Sequence, residues 1–272
     1  MKTALITTLL ACMAATLGAA EINKNTPNTG NIRVVPVAPT PEPDHAEVRI
    51  SFPKEGQIKN SFPIRFQFRI EGYPIGTDST FPRQHEIMSD PQGQALRITV
   101  DNGPIIEADE ALDDALDNEQ NYFDQTVEVN YSQNLTPGKH IIRVFPARSF
   151  GESLKGDGCF ASRVFYFQSE EDNLNVDLKA PFLTYNEPFG NLSSKKPILL
   201  DFYISNCELS KDGYKVRLTI DNTITRILTA WTPYYIYGLK QGKHTVRLQL
   251  LDSQDAQVPG VFNDVKRAFN VK

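Results

Sequence analysis

Two histidines hold equivalent places in this chain, and histidine is the side chain best suited to move a proton or hold a metal near neutral pH. His140 ends the run Leu135-Thr136-Pro137-Gly138-Lys139-His140, and His244 ends Leu239-Lys240-Gln241-Gly242-Lys243-His244. Each is in step with an apolar row: Ile142 and Val144 after the first, Val246, Leu248 and Leu250 after the second. Neither has a cysteine, histidine or carboxylate nearby at metal-ligand spacing. The expected role is structural, a half-buried imidazole bonded to a nearby carbonyl, with no metal and no cofactor. Asp109, Glu110, Asp113, Asp114 and Asp117 cluster, but without the alternation and turn glycine of a helix-loop-helix calcium site they read as a solvated surface. Ser149-Phe150-Gly151-Glu152-Ser153 lacks the paired glycines of a nucleophile elbow. Gly156-Asp157-Gly158 reads as a loop, not as a phosphate-binding turn that opens a helix. No nucleophile, base and orienting group come together, and nothing in the sequence places paired carboxylates across a cleft. The chain is therefore expected not to be an enzyme.

The densest aromatic stretch is Trp231-Thr232-Pro233-Tyr234-Tyr235-Ile236-Tyr237, which holds the single tryptophan. Exposed rings here would stack on sugars or anchor a protein partner, because aromatic side chains offer large contact area at low entropic cost. Buried rings would be core or edge packing. Trp231, Tyr234, Tyr235 and Tyr237 are the candidate ligand-binding residues. In a strand, Tyr235 and Tyr237 would share one face and Ile236 take the other. A formal net charge of -5 argues against a nucleic-acid partner, whose phosphates need a basic surface.

The elements that position these residues are repeated. Ala95-Leu96-Arg97-Ile98-Thr99-Val100-Asp101-Asn102 recurs as Lys215-Val216-Arg217-Leu218-Thr219-Ile220-Asp221-Asn222, and the two histidine blocks recur behind them. Pro63-Ile64-Arg65-Phe66 corresponds to Pro197-Ile198-Leu199-Leu200. Phe62, Ile64, Phe66, Phe68 and Ile70 share one strand face, with Arg65, Gln67 and Arg69 opposite. Ile198, Leu200, Phe202 and Ile204 alternate in the same phase, as do Leu96, Ile98 and Val100 against Arg97 and Thr99. This period of two, with one polar face to be wetted, predicts two-layer antiparallel sandwiches. Asp101-Asn102-Gly103, Lys211-Asp212-Gly213, Pro137-Gly138 and Gln241-Gly242 supply the turns. The first copy carries an insert around Ala108 to Phe123, read as a short surface helix or an acidic loop. The expected fold is all-β, two tandem immunoglobulin-like antiparallel β-sandwiches over residues 45–169 and 174–272, joined at Ser169-Glu170-Glu171-Asp172-Asn173.

Residues 1–20 read as a secretory signal: Lys2, an apolar stretch from Ala4 to Leu17, and small residues at Gly18-Ala19-Ala20 before Glu21. The stretch is too short to span a bilayer, and no later segment is apolar enough, so no transmembrane segment is expected after cleavage. Leu9-Leu10-Ala11-Cys12 resembles a lipoprotein lipobox, which makes acylation at Cys12 the alternative to cleavage after Ala20. Residues 21–44, with Pro27, Pro36, Pro39, Pro41 and Pro43, read as a proline-rich linker. Beyond the signal only Cys159 and Cys207 remain, one in each repeat. A disulfide between them would clamp the domains together; two reduced buried thiols or an intermolecular bond are the other outcomes.

Phe52-Pro53-Lys54-Glu55-Gly56-Gln57 ahead of the Pro63 strand, and the leucine, turn glycine and histidine of each repeat, resemble bacterial extracytoplasmic immunoglobulin-like and fibronectin-III-like domains. The resemblance covers residues 45–272 in outline. It implies a sandwich without the cysteine pair and tryptophan of antibody domains. Domains of this kind serve as adhesins, spacers, chaperone-like modules and enzyme appendages. The expectation is an exported binding or adhesion module that contacts a protein or glycan in the periplasm, at the outer envelope or after secretion. A structural spacer of the envelope is the alternative.

Overall fold

The computed structural model describes residues 32–112 and 124–272. The signal segment, Cys12, the start of the proline-rich segment, and Asp113, Asp114 and Asp117 lie outside the described residues. No helix among the described residues is long and apolar enough to cross a membrane.

The chain is all-β and immunoglobulin-like in both halves. In the first half, β2 (Glu47–Phe52) pairs with β4 (Ile64–Glu71), and β4 with β7 (Asp124–Tyr131), all antiparallel. The opposing sheet has the order β3, β9, β8, β5, β6, built from Gln57–Lys59, Ala161–Phe167, Gly138–Ala147, Ala95–Val100 and Ile106–Ala108. The first strand switches sheets at Phe52, so that β3 runs parallel to β9. The second half repeats this plan. Here β10 (Phe182–Glu187), β12 (Ile198–Ser205) and β15 (Tyr234–Tyr237) form the smaller sheet. The larger sheet runs β11, β17, β16, β13, β14, over Asn191–Leu192, Asp264–Val271, Gly242–Leu251, Lys215–Ile220 and Ile224–Leu228. β11 again lies parallel to β17. Each sandwich has its own core, filled by the alternating residues named from the sequence. Ile64, Phe66, Phe68, Leu96, Ile98 and Ile142 meet in the first, and Leu200, Phe202, Val216, Leu218, Val246 and Leu248 in the second.

Two features depart from the sequence reading. The first concerns the proline-rich segment. Residues Arg33–Pro36 form β1, which adds an antiparallel fourth strand to the second sandwich at the edge of β15, with Arg33 opposite Tyr237 and Pro36 opposite Tyr234. Val37 continues the pairing by donating to Pro233 O at 3.0 Å. The segment then crosses to the first sandwich, where Thr40 bonds Glu152 and the Pro41 carbonyl accepts from Arg148. The described part of this segment is thus a strap over both halves and not a spacer. An edge strand with free N–H and C=O groups gains from being paired, and Val34 and Val35 between the prolines supply the β-forming pair.

The second departure is the fate of the polar faces. Arg97, Thr99 and Arg143 are buried, at 4%, 4% and 2% exposure. The larger sheet of the first sandwich packs face to face on the smaller sheet of the second, so β5, β8, β10 and β12 are covered on both sides. Arg143 crosses this boundary. It lies 3.7 Å from the centre of the Phe262 ring and donates to Thr184 Oγ1 and to Leu183 O. Phe145 and Phe160 of the first half meet Tyr203 of the second, at 5.7 and 4.8 Å between ring centres. Ile141, Phe182 and Phe262 make a separate small core there.

The cysteines do not pair. Cys159 packs in the first core and Cys207 against the second, both as free thiols, and burial pushes each up to about 11. The clamp between the halves is the sheet contact and the strap. The insert shows no helix in its described part: Ala108 ends the strand β6, and residues 109–112 carry no regular structure.

Candidate functional site

The two histidines make one motif twice. Asp101 and Asp221 each close a turn at φ 50°. One carboxylate oxygen accepts from a strand N–H, Ile141 or Thr245, and the other meets His140 or His244 Nδ1, at 2.7 and 2.6 Å. The second ring nitrogen faces a carbonyl four residues back, Thr136 O at 2.7 Å or Lys240 O at 2.8 Å. Both nitrogens therefore face acceptors, an arrangement that only a doubly protonated ring fills. Burial opposes the charge, but the bonds to the aspartate and the carbonyl outweigh it, and both histidines titrate above their ordinary value. A raised folded value stabilises the fold fully below the unfolded value near 6.5, and that stability is lost as pH rises through the folded values. Thermal midpoints measured across pH should fall over this range, and a His140→Gln/His244→Gln variant should fall less steeply. An equal slope in the variant would remove the histidines from this role. These are structural corners in which each imidazole bonds a nearby carbonyl, as the sequence indicates.

The aromatic stretch is divided by its strand. Tyr234 points into the second core at 2% exposure and donates its hydroxyl to Ala230 O. Tyr235 is 4% exposed on the opposite face, where it packs with Ile87, Phe150 and Leu199. Its hydroxyl meets Arg83 and Glu86 of the short helix α1 (Arg83–Glu86), at 2.9 and 2.7 Å. Neither ring is open to a ligand, which corrects the expectation for these two. Tyr237 is half-buried beneath Arg33 of β1. Trp231 is half-buried, donates Nε1 to Phe202 O at 2.9 Å, and stands edge-on to Tyr203 at 4.9 Å between ring centres.

Trp231 lines a groove of about 300 Å³ between the two halves. Asp157, Ser162, Ser205 and Asn206 supply its polar wall, and Lys155 Nζ lies 5.9 Å from the Trp231 ring centre. The lysine is held from beneath by Asp201, fully buried, at 2.6 Å. Asp201 also accepts from Ser153 Oγ and Asn186 Nδ2. An aromatic edge, a fixed cation, the exposed Asp157 carboxylate and the exposed Asn206 amide thus meet in one groove.

A second cleft, of about 290 Å³, lies at the other end of β12 and was not signalled by the sequence. Arg97 forms its floor. It pairs with Glu107 of its own sandwich at 2.7 Å and with Glu187 of the other at 3.4 Å, beneath the Phe189 ring at 4.7 Å. Burial pushes Glu187 up to about 8, against the pull of Arg97 and aided by Glu107. Glu107 is raised too, by burial, with Arg97 opposing. Alternation marks Arg97 as outward-facing, and only the packing of the second half turns that face into a cleft floor.

His45, Glu47 and Glu71 bring ligand atoms within 4.8 Å of one another. Arg49 already bonds both carboxylates, at 2.7 and 3.0 Å, so this is a surface ion-pair cluster.

No family model and no curated protein matches the chain. Among solved structures, it is similar to fibronectin(III)-like modules of CbhA from Clostridium thermocellum, at 12% identity over 83% of this chain and 94% of that one, with a TM-score of 0.27. It is similar to SGBP-B of the Bacteroides ovatus mixed-linkage glucan utilization locus, at 16% identity over 83% of this chain and 47% of that one, with a TM-score of 0.20. The YadV chaperone matches at 12% identity over 82% of this chain and 99% of that one, with a TM-score of 0.22. These superpositions are distant, and the fold assignment rests on the strand order and register described above.

Proposed function

We propose that this chain is an exported, non-catalytic binding module that seats a glycan in the groove beside Trp231. The observation that carries the reading is the convergence of Trp231, Tyr203 and the polar groups of Asp157 and Asn206 in one concave site between the halves. Sugars are bound by such pairings of an aromatic surface with amide, hydroxyl and carboxylate groups. A protein partner calls for a broader apolar anchor than this small, polar groove offers. The spacer alternative calls for a free tether, and residues 33–42 are seated across both halves.

Trp231 is the only tryptophan in the chain, so its fluorescence reports on the groove directly. Titration with soluble cell-envelope oligosaccharides should shift or quench that emission. Asp157→Ala, at an exposed wall residue, should weaken the response about tenfold, the loss of one well-formed hydrogen bond. Emission that no oligosaccharide alters, combined with capture of a protein that Trp231→Ala abolishes, would replace the glycan by a protein partner.

A further inference from the structure

We infer that the cleft over Arg97 is a second binding site and takes a single neutral hexose ring. This extends the glycan reading to another place in the fold and stands apart from the Trp231 groove. The guanidinium is 4% exposed, yet its Nε makes no hydrogen bond among the described residues. A buried donor left unmade is costly, which marks the Arg97 side of the cleft as incompletely satisfied by the protein's own groups. Around it stand acceptors, the oxygens of Glu107 and Glu187, and the amide of exposed Asn191. Each sugar hydroxyl both donates and accepts, which suits a floor offering both. Phe189 covers the guanidinium, and Met88, 46% exposed, stands at the mouth, giving apolar surface for the C–H face of a ring. The volume, about 290 Å³, sits at the lower end of small-molecule sites and suits one ring.

Charge selects the neutral ring. Arg97 pairs with Glu107, and Asp90 also lines the cleft, so no spare positive charge awaits a carboxylate. An amino sugar would bring its cation against the buried guanidinium.

Saturation-transfer NMR on the full chain would test this with methyl glucoside, methyl galactoside and methyl mannoside, with glucuronate as acidic comparator. At least one neutral glycoside should receive transfer and glucuronate should not. Met88→Trp, at the exposed mouth, should abolish the transfer with the fold intact by circular dichroism. Arg97→Lys should weaken it about tenfold by removing the planar set of donors. Transfer that survives Met88→Trp, equal transfer to glucuronate, or none to any neutral glycoside would overturn the site. Trp231→Ala in parallel separates the two readings. Loss in Trp231→Ala alone assigns the sugar to the groove and ends this inference. Loss in Met88→Trp alone supports the cleft and leaves the groove to its own titration.

Discussion

Replacing Glu152 by alanine should cost about 3–5 kcal/mol of stability, the range for removing one partner of a buried ion pair. Glu152 is 2% exposed and holds three groups at once. Thr40 donates its N–H and its hydroxyl, at 2.8 and 2.7 Å, and Arg83 Nε lies at 2.6 Å. Arg83 in turn reaches the Ala38 carbonyl and the Tyr235 hydroxyl. One carboxylate therefore joins the strap, the helix α1 and the second sandwich. Its loss leaves a buried guanidinium without its nearest counter-charge and Thr40 without its acceptor. Denaturant unfolding would give the cost, and hydrogen exchange the location: the amides of β1 should lose protection before those of β4 or β12. A cost below about 1 kcal/mol, typical of an exposed pair, would show that the strap contributes little.

Replacing Glu187 by glutamine should act in the opposite direction, stabilising the protein by about 2 kcal/mol near pH 8. The carboxyl is buried between the halves and titrates at about 8, against an ordinary value of 4.5. Below the ordinary value both folded and unfolded chains hold the proton, and the group carries no penalty. As pH rises from there through about 8, the unfolded chain releases the proton while the folded chain retains it, so folding becomes progressively less favourable. Glutamine keeps a neutral side chain of similar shape and an oxygen to accept from Phe189 N–H. Its gain should vanish near pH 4 and grow towards pH 8 in paired unfolding curves. A variant less stable than the parent at both pH values would mean that the contact of Glu187 with Arg97 outweighs the burial of its charge.

The sandwiches were legible in the sequence because alternation reports directly which side of a strand is apolar. Phe66, Phe68, Leu96, Ile98, Leu200 and Leu218 all lie where that phase puts them. The corner histidines were legible because two copies of one motif constrain each other. Arg97 and Thr99 were misread for a definite reason. Period-two patterning separates a polar face from an apolar one, but it does not say whether the polar face meets water or another domain. Arg143 is stacked on Phe262 and donates to carbonyl and hydroxyl groups there, although its buried Nε has no partner among the described residues. The same limit hid the Arg97 cleft, whose walls come from both halves. Proline content pointed to a linker because Pro36, Pro39, Pro41 and Pro43 suit extended backbone. Extended backbone is also what a strand needs, and only its partner β15 distinguishes the two. The aromatic stretch was correctly dense but could not be divided by inspection: Tyr234 and Tyr235 are taken by packing on opposite faces, which leaves Trp231 at the groove.

The strap also sets an order of events. Val37 receives the hydroxyl of Thr232, 195 residues further along the chain, and β1 finds its partner only in Tyr234–Tyr237. During synthesis the segment emerges ahead of its partner and waits while the 195 residues that follow Val37 up to Thr232 are added. Its docking closes a very long loop, a step that comes late and costs more entropy than the local hairpins. Its prolines lack N–H donors and so discourage premature pairing with other strand edges in the interval. The seated strap thus reports that the chain has been made at least through β15. Truncated products that end before β15 would leave this segment unpaired, and a protease would meet it first.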